Sequence, residues 1–354
     1  MKKIISLLLI SFILVGCFSN NEPDEDEPII VVKGEQGNYN YVLPFESNYL
    51  RFEHNATDHN EIGQGLVELS KGYFPVTSNS LKEGNILGDY RGDYQPLIML
   101  RESSENPVGL NPHRDTKVKV NANTEVTGPI FVTDLFEVDF VSSKNTSKLT
   151  GASFALVLNK TITDDDGRPV TVDQDILYEF ATKIAGPKLE SYLRKKPQLS
   201  GVPIVVAIYV TDHSNVSVPG HYIAKAQFVN RQGQFESVDH EWALFPSSKG
   251  LEIGGAINEQ ISSMKRSLTG FIPEDIGVVG YGEYYDGKLN NLQIKINVQS
   301  KTYTEVLALS HYVGELIMSF DSQSKVIVEI KSLTKTLAII KRGLNASEAE
   351  VIML

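Results

Sequence analysis

The chain has 354 residues, 41% of them hydrophobic and 22% charged, which is enough apolar material for a sizeable core and for two or three domains. No Gly period, sustained heptad or low-hydrophobicity bulk is present, so collagen-like, coiled-coil and wholly disordered classes are excluded. The net charge of −11 argues against nucleic acid, whose affinity comes from neutralising phosphates with Lys and Arg, and offers no pull toward an anionic membrane.

The chain opens MKKIISLLLISFILVGC. Lys2 and Lys3 form a positive n-region, and Ile4 to Val15 is apolar apart from Ser6 and Ser11. At ~1.5 Å per residue this run is too short to cross ~30 Å of hydrocarbon, and it fits a secretory h-region. It ends Leu14-Val15-Gly16-Cys17, an aliphatic residue, a small one, Gly and Cys, which is the order of a bacterial lipobox. The Cys17 thiol would accept diacylglycerol as a thioether, and small residues at 15 and 16 would let a peptidase reach the bond between Gly16 and Cys17. Residues 1–16 are therefore predicted to be a lipoprotein signal peptide. Losing them removes Lys2 and Lys3 and no acid, taking the charge from −11 to −13. Cys17 is the single cysteine, so neither an intramolecular disulfide nor a cysteine-based metal site is available within one chain.

Residues 17–37 read as an acidic, flexible tether, with five acids and two prolines within Glu22–Pro28. Ile29–Val32 and Tyr39–Phe45 are short strand candidates. Ile62, Leu66, Leu69 and Phe74 recur at helical spacing over Glu61–Phe74. Residues 75–128 are rich in Gly, Asn, Asp and Pro and read as irregular loops with short strands.

From residue 130 one pattern runs twice. Phe131–Phe140 and Gly151–Leu158 are strands, Asp173–Lys195 a helix that Gly186-Pro187 should break or kink, and Pro203–Val210 and His221–Val229 two more strands. Then Ile276–Tyr285 and Leu292–Val298 are strands, Thr302–Phe320 a helix, and Lys325–Ile330 and Thr336–Lys341 strands. The expected fold is α+β, with two repeated units, each an antiparallel sheet with a packed helix. The domains are placed at 38–245, with a repeat core of about 130–230, and at 256–354. Pro246–Gly255 is read as their joint.

Several stretches resemble the CamS family of sex-pheromone precursor lipoproteins of Gram-positive bacteria. They are the ISFILVG that precedes Cys17, NYNYVLPFES (Asn38–Ser47), NPVGLNP (Asn106–Pro112), TDLFEVDFVS (Thr133–Ser142), and VPIVVAIYV followed by VPGHY (Val202–Tyr222). Phe12-Ile13-Leu14 is similar to the core of the family's peptide, while Ile10-Ser11 and Val15-Gly16 depart from it. The resemblance implies tandem repeats and cleavage between Gly16 and Cys17. It also implies release of a peptide Ile10-Ser11-Phe12-Ile13-Leu14-Val15-Gly16 as a mating signal. The protein would stay at the extracytoplasmic face of the membrane, held by its N-terminal lipid, with prolipoprotein-processing enzymes as partners and no nucleic acid. The alternative is a cell-surface ligand-binding or interaction lipoprotein with a silent signal peptide.

The mature part shows no nucleophile elbow, zincin helix or phosphate loop, so it is expected not to be an enzyme and to need no cofactor. Asp164-Asp165-Asp166-Gly167 lacks the alternating acids of a calcium loop and reads as a polar turn. His54 and His59 flank Asp58 and are weighed as metal ligands, but nothing there fixes a geometry. Strand alternation would put Asp239 and Glu241 on one face and His240 and Trp242 on the other, with Trp242 in the core. His113-Arg114-Asp115, following NPVGLNP, is the candidate ligand loop.

Overall fold

The computed structural model describes residues 30–34, 37–43, 58–88, 90–211, 218–272, 274–333 and 335–354. The signal peptide, Cys17, the candidate peptide 10–16, most of the tether, and His54 lie outside the described residues.

In chain order the strands are β1 (Ile30–Val32), β2 (Asn40–Leu43), β3 (Asn79–Glu83), β4 (Lys117–Lys119), β5 (Glu125–Thr127), β6 (Val132–Ser142), β7 (Asn145–Asn159), β8 (Thr161–Thr163) and β9 (Pro169–Thr171). Then come β10 (Ile204–Thr211), β11 (His221–Phe228), β12 (Glu236–Ser237), β13 (His240–Phe245), β14 (Gly277–Tyr285), β15 (Lys288–Val298), β16 (Lys325–Ser332), β17 (Lys335–Arg342) and β18 (Glu350–Met353). The first large sheet runs β1-β2-β3-β6-β7-β10-β11-β12 and the second β13-β14-β15-β16-β17-β18, while β4–β5 and β8–β9 form separate ribbons.

Both large sheets are mixed, which corrects the expectation of antiparallel ones. β7 pairs with β10 in parallel, as do β15 with β16 and β2 with β3. The reason is the helix between the paired strands. A strand–helix–strand crossover carries the chain back to the end at which the first strand began, so the next strand runs the same way. Around each of the three crossovers the senses repeat: antiparallel, parallel, antiparallel across β1-β2-β3-β6, across β6-β7-β10-β11 and across β14-β15-β16-β17.

The first sheet is covered on both faces. All eight residues of β10 are buried, which is why IVVAIYVT runs apolar without alternation. One face packs Phe154, Leu156, Ile204, Val206 and Ile208 against Leu177, Ala181, Leu189 and Leu193. The other packs Ala155, Val157, Ala207, Tyr209 and Tyr222 against Ile62, Leu66 and Leu69 of α1 (His59–Ser70). The second sheet alternates. In β16, Val326, Val328 and Ile330 are buried while Lys325 and Ile327 are exposed. Its inner face packs on α4 (Ser248–Phe271), through Ile257, Ile261, Met264 and Leu268, and on α5 (Tyr303–Ile317), through Val306, Leu309, Val313 and Ile317. A capping box between Thr302 and Glu305 starts α5.

Three helical expectations change. Gly186-Pro187 does not break its helix. α2 (Gln174–Phe180) continues through a π-wound turn, Ala181–Ala185, into α3 (Gly186–Leu193), and Gly186 keeps helical angles of φ −63° and ψ −49°. Pro187 falls at the start of α3, where the wider turn before it absorbs the lost donor. Gly186 is needed for a close approach: a Cβ there would lie 2.5 Å from the Phe235 ring. The expected joint Pro246–Gly255 is instead the first turns of α4. Ser247 caps it by accepting from Gly250 N at 2.8 Å, and Gly254 bends it with φ −142° and ψ 63°. Its glycines mask the helical stripe that starts at Ile257. Tyr90–Met99, read as loop, is a π-wound helix with Pro96 inside it.

The second sheet also begins earlier than the expected boundary. His240–Phe245, assigned to the 38–245 domain, pairs with β14.

Candidate functional site

Residues 236–245 pass from one sheet to the other. Glu236 and Ser237 pair with Lys225 and Ala224 of β11, and Val238 N–H donates to Ile223 O at 3.0 Å. From His240 onward the strand pairs with β14, starting at His240↔Tyr285. The last tie between the sheets is the Tyr222 N–H, which donates to His240 Nδ1 at 3.0 Å. Beyond it the residues preceding Tyr222 and the body of β13 diverge. Diverging strands cannot pair, and a wedge-shaped cleft of about 280 Å³ opens between them.

The first sheet gives the cleft Val218, Pro219, Gly220 and His221, with Lys160 beyond the end of β7. Val238 to Trp242 form the opposite wall, and Lys249, in the first turn of α4, closes one side. Val218–His221 are held from below by the buried Asp58 carboxylate. It accepts from Gly220 N at 2.8 Å, from Thr211 Oγ1 at 3.2 Å and from the Tyr209 hydroxyl. Asp58, weighed as a possible metal-site residue, is thus a structural anchor, and His59 packs its ring 5.7 Å from Phe136.

His240 is held through Nδ1 by the Tyr222 N–H and by stacking on Tyr285. Because Nδ1 accepts, the ring hydrogen sits on Nε2, which lies 3.4 Å from Glu283 Oε1. Glu283 Oε2 in turn accepts from Asn290 Nδ2 at 3.2 Å. Trp242 is buried as expected, with its ring 6.4 Å from His240, but it belongs to the cleft wall, and its indole N–H has no hydrogen-bond partner. The expected split of this segment holds: His240 and Trp242 are buried, while Asp239 and Glu241 are more open. All four nevertheless border the cleft, because the wedge wraps the edge of β13.

His221 is pushed down to about 4, first by burial and then by electrostatic repulsion from its basic neighbours His240, Lys160 and Lys249. It is therefore a neutral imidazole at physiological pH, set among cations. Tyr284 beneath β13 is pushed up to about 12, by burial and then by the Glu241 charge.

The other predicted residues fall elsewhere. His113, Arg114 and Asp115 form an exposed turn in which Asp115 N–H donates to His113 Nδ1 at 3.2 Å, and none of the three borders the cleft. The NPVGLNP segment before them is a clamp. Asn111 is buried, accepts from Phe131 N and Val132 N at 2.9 and 2.8 Å, and donates to Val132 O at 2.8 Å and Ile98 O at 3.3 Å. Asn106 donates to Pro96 O, Leu100 O and Arg101 O. Asp164–Gly167 is the β8–β9 turn, where Asp164 accepts from Asp166 N and Arg168 N. Sequence reasoning missed His221, Lys160 and Lys249 as site residues. The available signal was a histidine directly after Pro219-Gly220, at the first position of a strand.

Two mixed sheets, joined by one strand that leaves the first for the second and parted by a polar wedge at that joint, define an α+β protein with a ligand-sized cleft at the sheet junction. A family model described as "CamS sex pheromone cAM373 precursor" matches residues 48–348, and the chain belongs to that family. Among solved structures it is similar to a sex pheromone precursor from Lactobacillus salivarius subsp. salivarius UCC118, with a TM-score of 0.77 at 20% identity, covering 92% of this chain and 99% of that one. It is also similar to the C-terminal domain of the sex pheromone staph-cAM373 precursor from Staphylococcus aureus, with a TM-score of 0.69 at 20% identity, covering 83% of this chain and 96% of that one. No curated protein matches the chain. At these identities the structures speak to the fold. Among the described residues no helix is long and apolar enough to cross a membrane.

Proposed function

We propose that the chain is a lipid-anchored, extracytoplasmic pheromone precursor. Cleavage before Cys17 would free the leader, which is trimmed to Ile10–Gly16. The diacylglyceryl Cys17 would hold the acidic body at the membrane through residues 17–37, with the processing enzymes as transient partners and no enzymatic step of its own. The observation that supports this is membership of a pheromone-precursor family in a chain whose single cysteine directly follows an apolar leader. Two acyl chains supply the membrane affinity that one lacks, at ~0.8 kcal/mol per buried methylene. The test is Cys17→Ala in a producing strain. The expected result is loss of lipid from the protein, precursor accumulation, and loss of the Ile10–Gly16 mass from conditioned medium. Normal processing and unchanged membrane attachment would refute the anchor.

The order strand, strand, helix, strand, strand shared by β6-β7-β10-β11 and β14-β15-β16-β17, with the helix between the parallel pair, supports reading these two segments as copies of one duplicated unit. The cleft supports a second reading, for the mature part: a ligand-binding module displayed at the cell surface. A thermal-shift screen of extracellular metabolites tests it. Hits should stabilise the wild-type protein and be lost in Lys160→Glu.

A further inference from the structure

Among the described residues, the cleft carries both signs of charge with no pairing between them. Lys160 and Lys249 reach it from β7's end and from α4, while Asp239 and Glu241 reach it from β13. None of the four forms an ion pair or side-chain hydrogen bond with another described residue. Elsewhere among the described residues, Lys71, Lys183, Lys188, Lys196 and Lys301 each find a carboxylate within 2.8 Å. Three elements, the end of β7, the start of α4 and the start of β13, carry the charges: two cations and two carboxylates around one wedge.

The surroundings select for a small, dipolar molecule. The volume of about 280 Å³ equals roughly nine waters at ~30 Å³ each, the scale of an amino acid or a dipeptide. Val210, Val218, Pro219 and Val238 give the walls an apolar component. The α4 N-terminus beside Lys249 adds positive potential at the cationic side. His221 stays uncharged among these cations, so it can accept as well as donate. The buried Trp242 indole N–H, without a partner, lies in the same wall.

We infer that the wedge binds a small zwitterion, an amino acid or dipeptide, with its carboxylate toward Lys160 and Lys249 and its ammonium toward Asp239 and Glu241. This rests on the binding-module reading and names its ligand class. An anion alone would leave the two carboxylates of β13 facing it, and a cation alone would face the two lysines. Only a molecule with both charges at a short separation neutralises both walls at once.

Calorimetry on the full chain, purified from membranes in mild detergent, tests the assignment with four probes: glycylglycine, N-acetylglycylglycine, glycylglycine amide and inorganic phosphate. Glycylglycine should bind saturably and at least about tenfold tighter than either blocked form, since each blocked form loses one charge-assisted contact. Lys160→Gln with Lys249→Gln should reduce glycylglycine binding to the level of the amide and leave amide binding unchanged. Asp239→Asn with Glu241→Gln should do the same relative to the acetylated form. These side chains are on the cleft surface, so thermal melting should confirm that both double variants fold. Equal binding of free and blocked dipeptides overturns the zwitterion assignment while leaving a binding module. Tight phosphate binding that is indifferent to Asp239 and Glu241 overturns it in favour of a plain anion site. No saturable binding of any probe overturns it as well. Lipidation and peptide release are read in intact cells and are unaffected by any of these outcomes.

Discussion

The imidazole of His240 lies flat on the ring of Tyr285, with centroids 4.2 Å apart and planes 2° from parallel. Through Nδ1 at its edge the same imidazole accepts the Tyr222 N–H at 3.0 Å. One side chain therefore ties β11 of the first sheet to β14 of the second. The wedge begins where that tie ends, so the rigidity of the cleft depends on a residue whose ring is buried behind it.

Replacing His240 by Ala removes the acceptor for a buried N–H and the stacking surface of Tyr285. The expected cost is about 2–3 kcal/mol. It should be read as a lower urea midpoint, with the two sheets unfolding in less coincident transitions by fluorescence and circular dichroism.

Gly65 of α1 faces the same joint. A Cβ there would lie 2.5 Å from the Tyr222 ring and 3.2 Å from the Tyr285 hydroxyl. Gly65→Ala would raise helix propensity by about 1 kcal/mol, yet the overpacking is worth ~1–3 kcal/mol in the other direction. Reduced thermal stability is expected, because both rings are pinned. Tyr222 is held by its hydroxyl on Ile62 O at 2.5 Å and Tyr285 by His240. An increase in Tm would show that the joint is softer than its hydrogen bonds imply.

The buried Asp139 carboxyl is pushed up to about 9, by burial first and then by the charge and hydrogen bond of Glu137. Glu137 is itself held by Ile86 N–H and Leu87 N–H at 2.8 and 2.9 Å. Between an unfolded value of about 3.9 and about 9 the folded state binds the extra proton, so this group lowers stability as pH rises through that window. Asp139→Asn keeps a donor toward Glu137 and removes the titration. It should flatten the alkaline fall in a Tm-against-pH profile, with the variant gaining on the wild type most clearly near pH 9.

His221 acts at the other end. Its value of about 4 lies below the ordinary one, so the unfolded chain binds the proton first and stability falls as pH drops from about 6.5 toward 4. His221→Gln should remove that acid slope without changing the alkaline one. An unchanged slope below pH 6 would mean that solvent reaches the ring and that burial is not its main perturbation.

Much of the fold was legible because it is written in short-range pattern. Alternation marked β6 and β14, the unbroken IVVAIYV run marked a strand buried on both faces, and the i, i+3, i+4, i+7 stripe marked α1 and α5. Where glycine and proline interrupt that pattern, the reading failed. Tyr90–Met99 is held by Asn106 on Pro96 O and the helix across Pro187 by the close packing of Gly186 on the Phe235 ring, contacts that local propensity does not contain; at the start of α4 the Ser247 cap is local, but glycines hide the stripe behind it. The site was only half visible: the face assignment of His240 and Trp242 followed from strand period, but their neighbours did not.

By itself, the sequence gives an apolar N-terminal run ending at a lone thiol, and it indicated most of the strands and helices, because hydrophobic length and periodicity act within a few residues. Only the tertiary structure decided that residues 236–245 change sheets, that Asp58 and Gly220 meet 162 positions apart in the chain, and that Lys160, His221, Glu241 and Lys249 surround one cleft. Strand pairing and the gap left where pairing stops are set by long-range register. No local pattern carries that information.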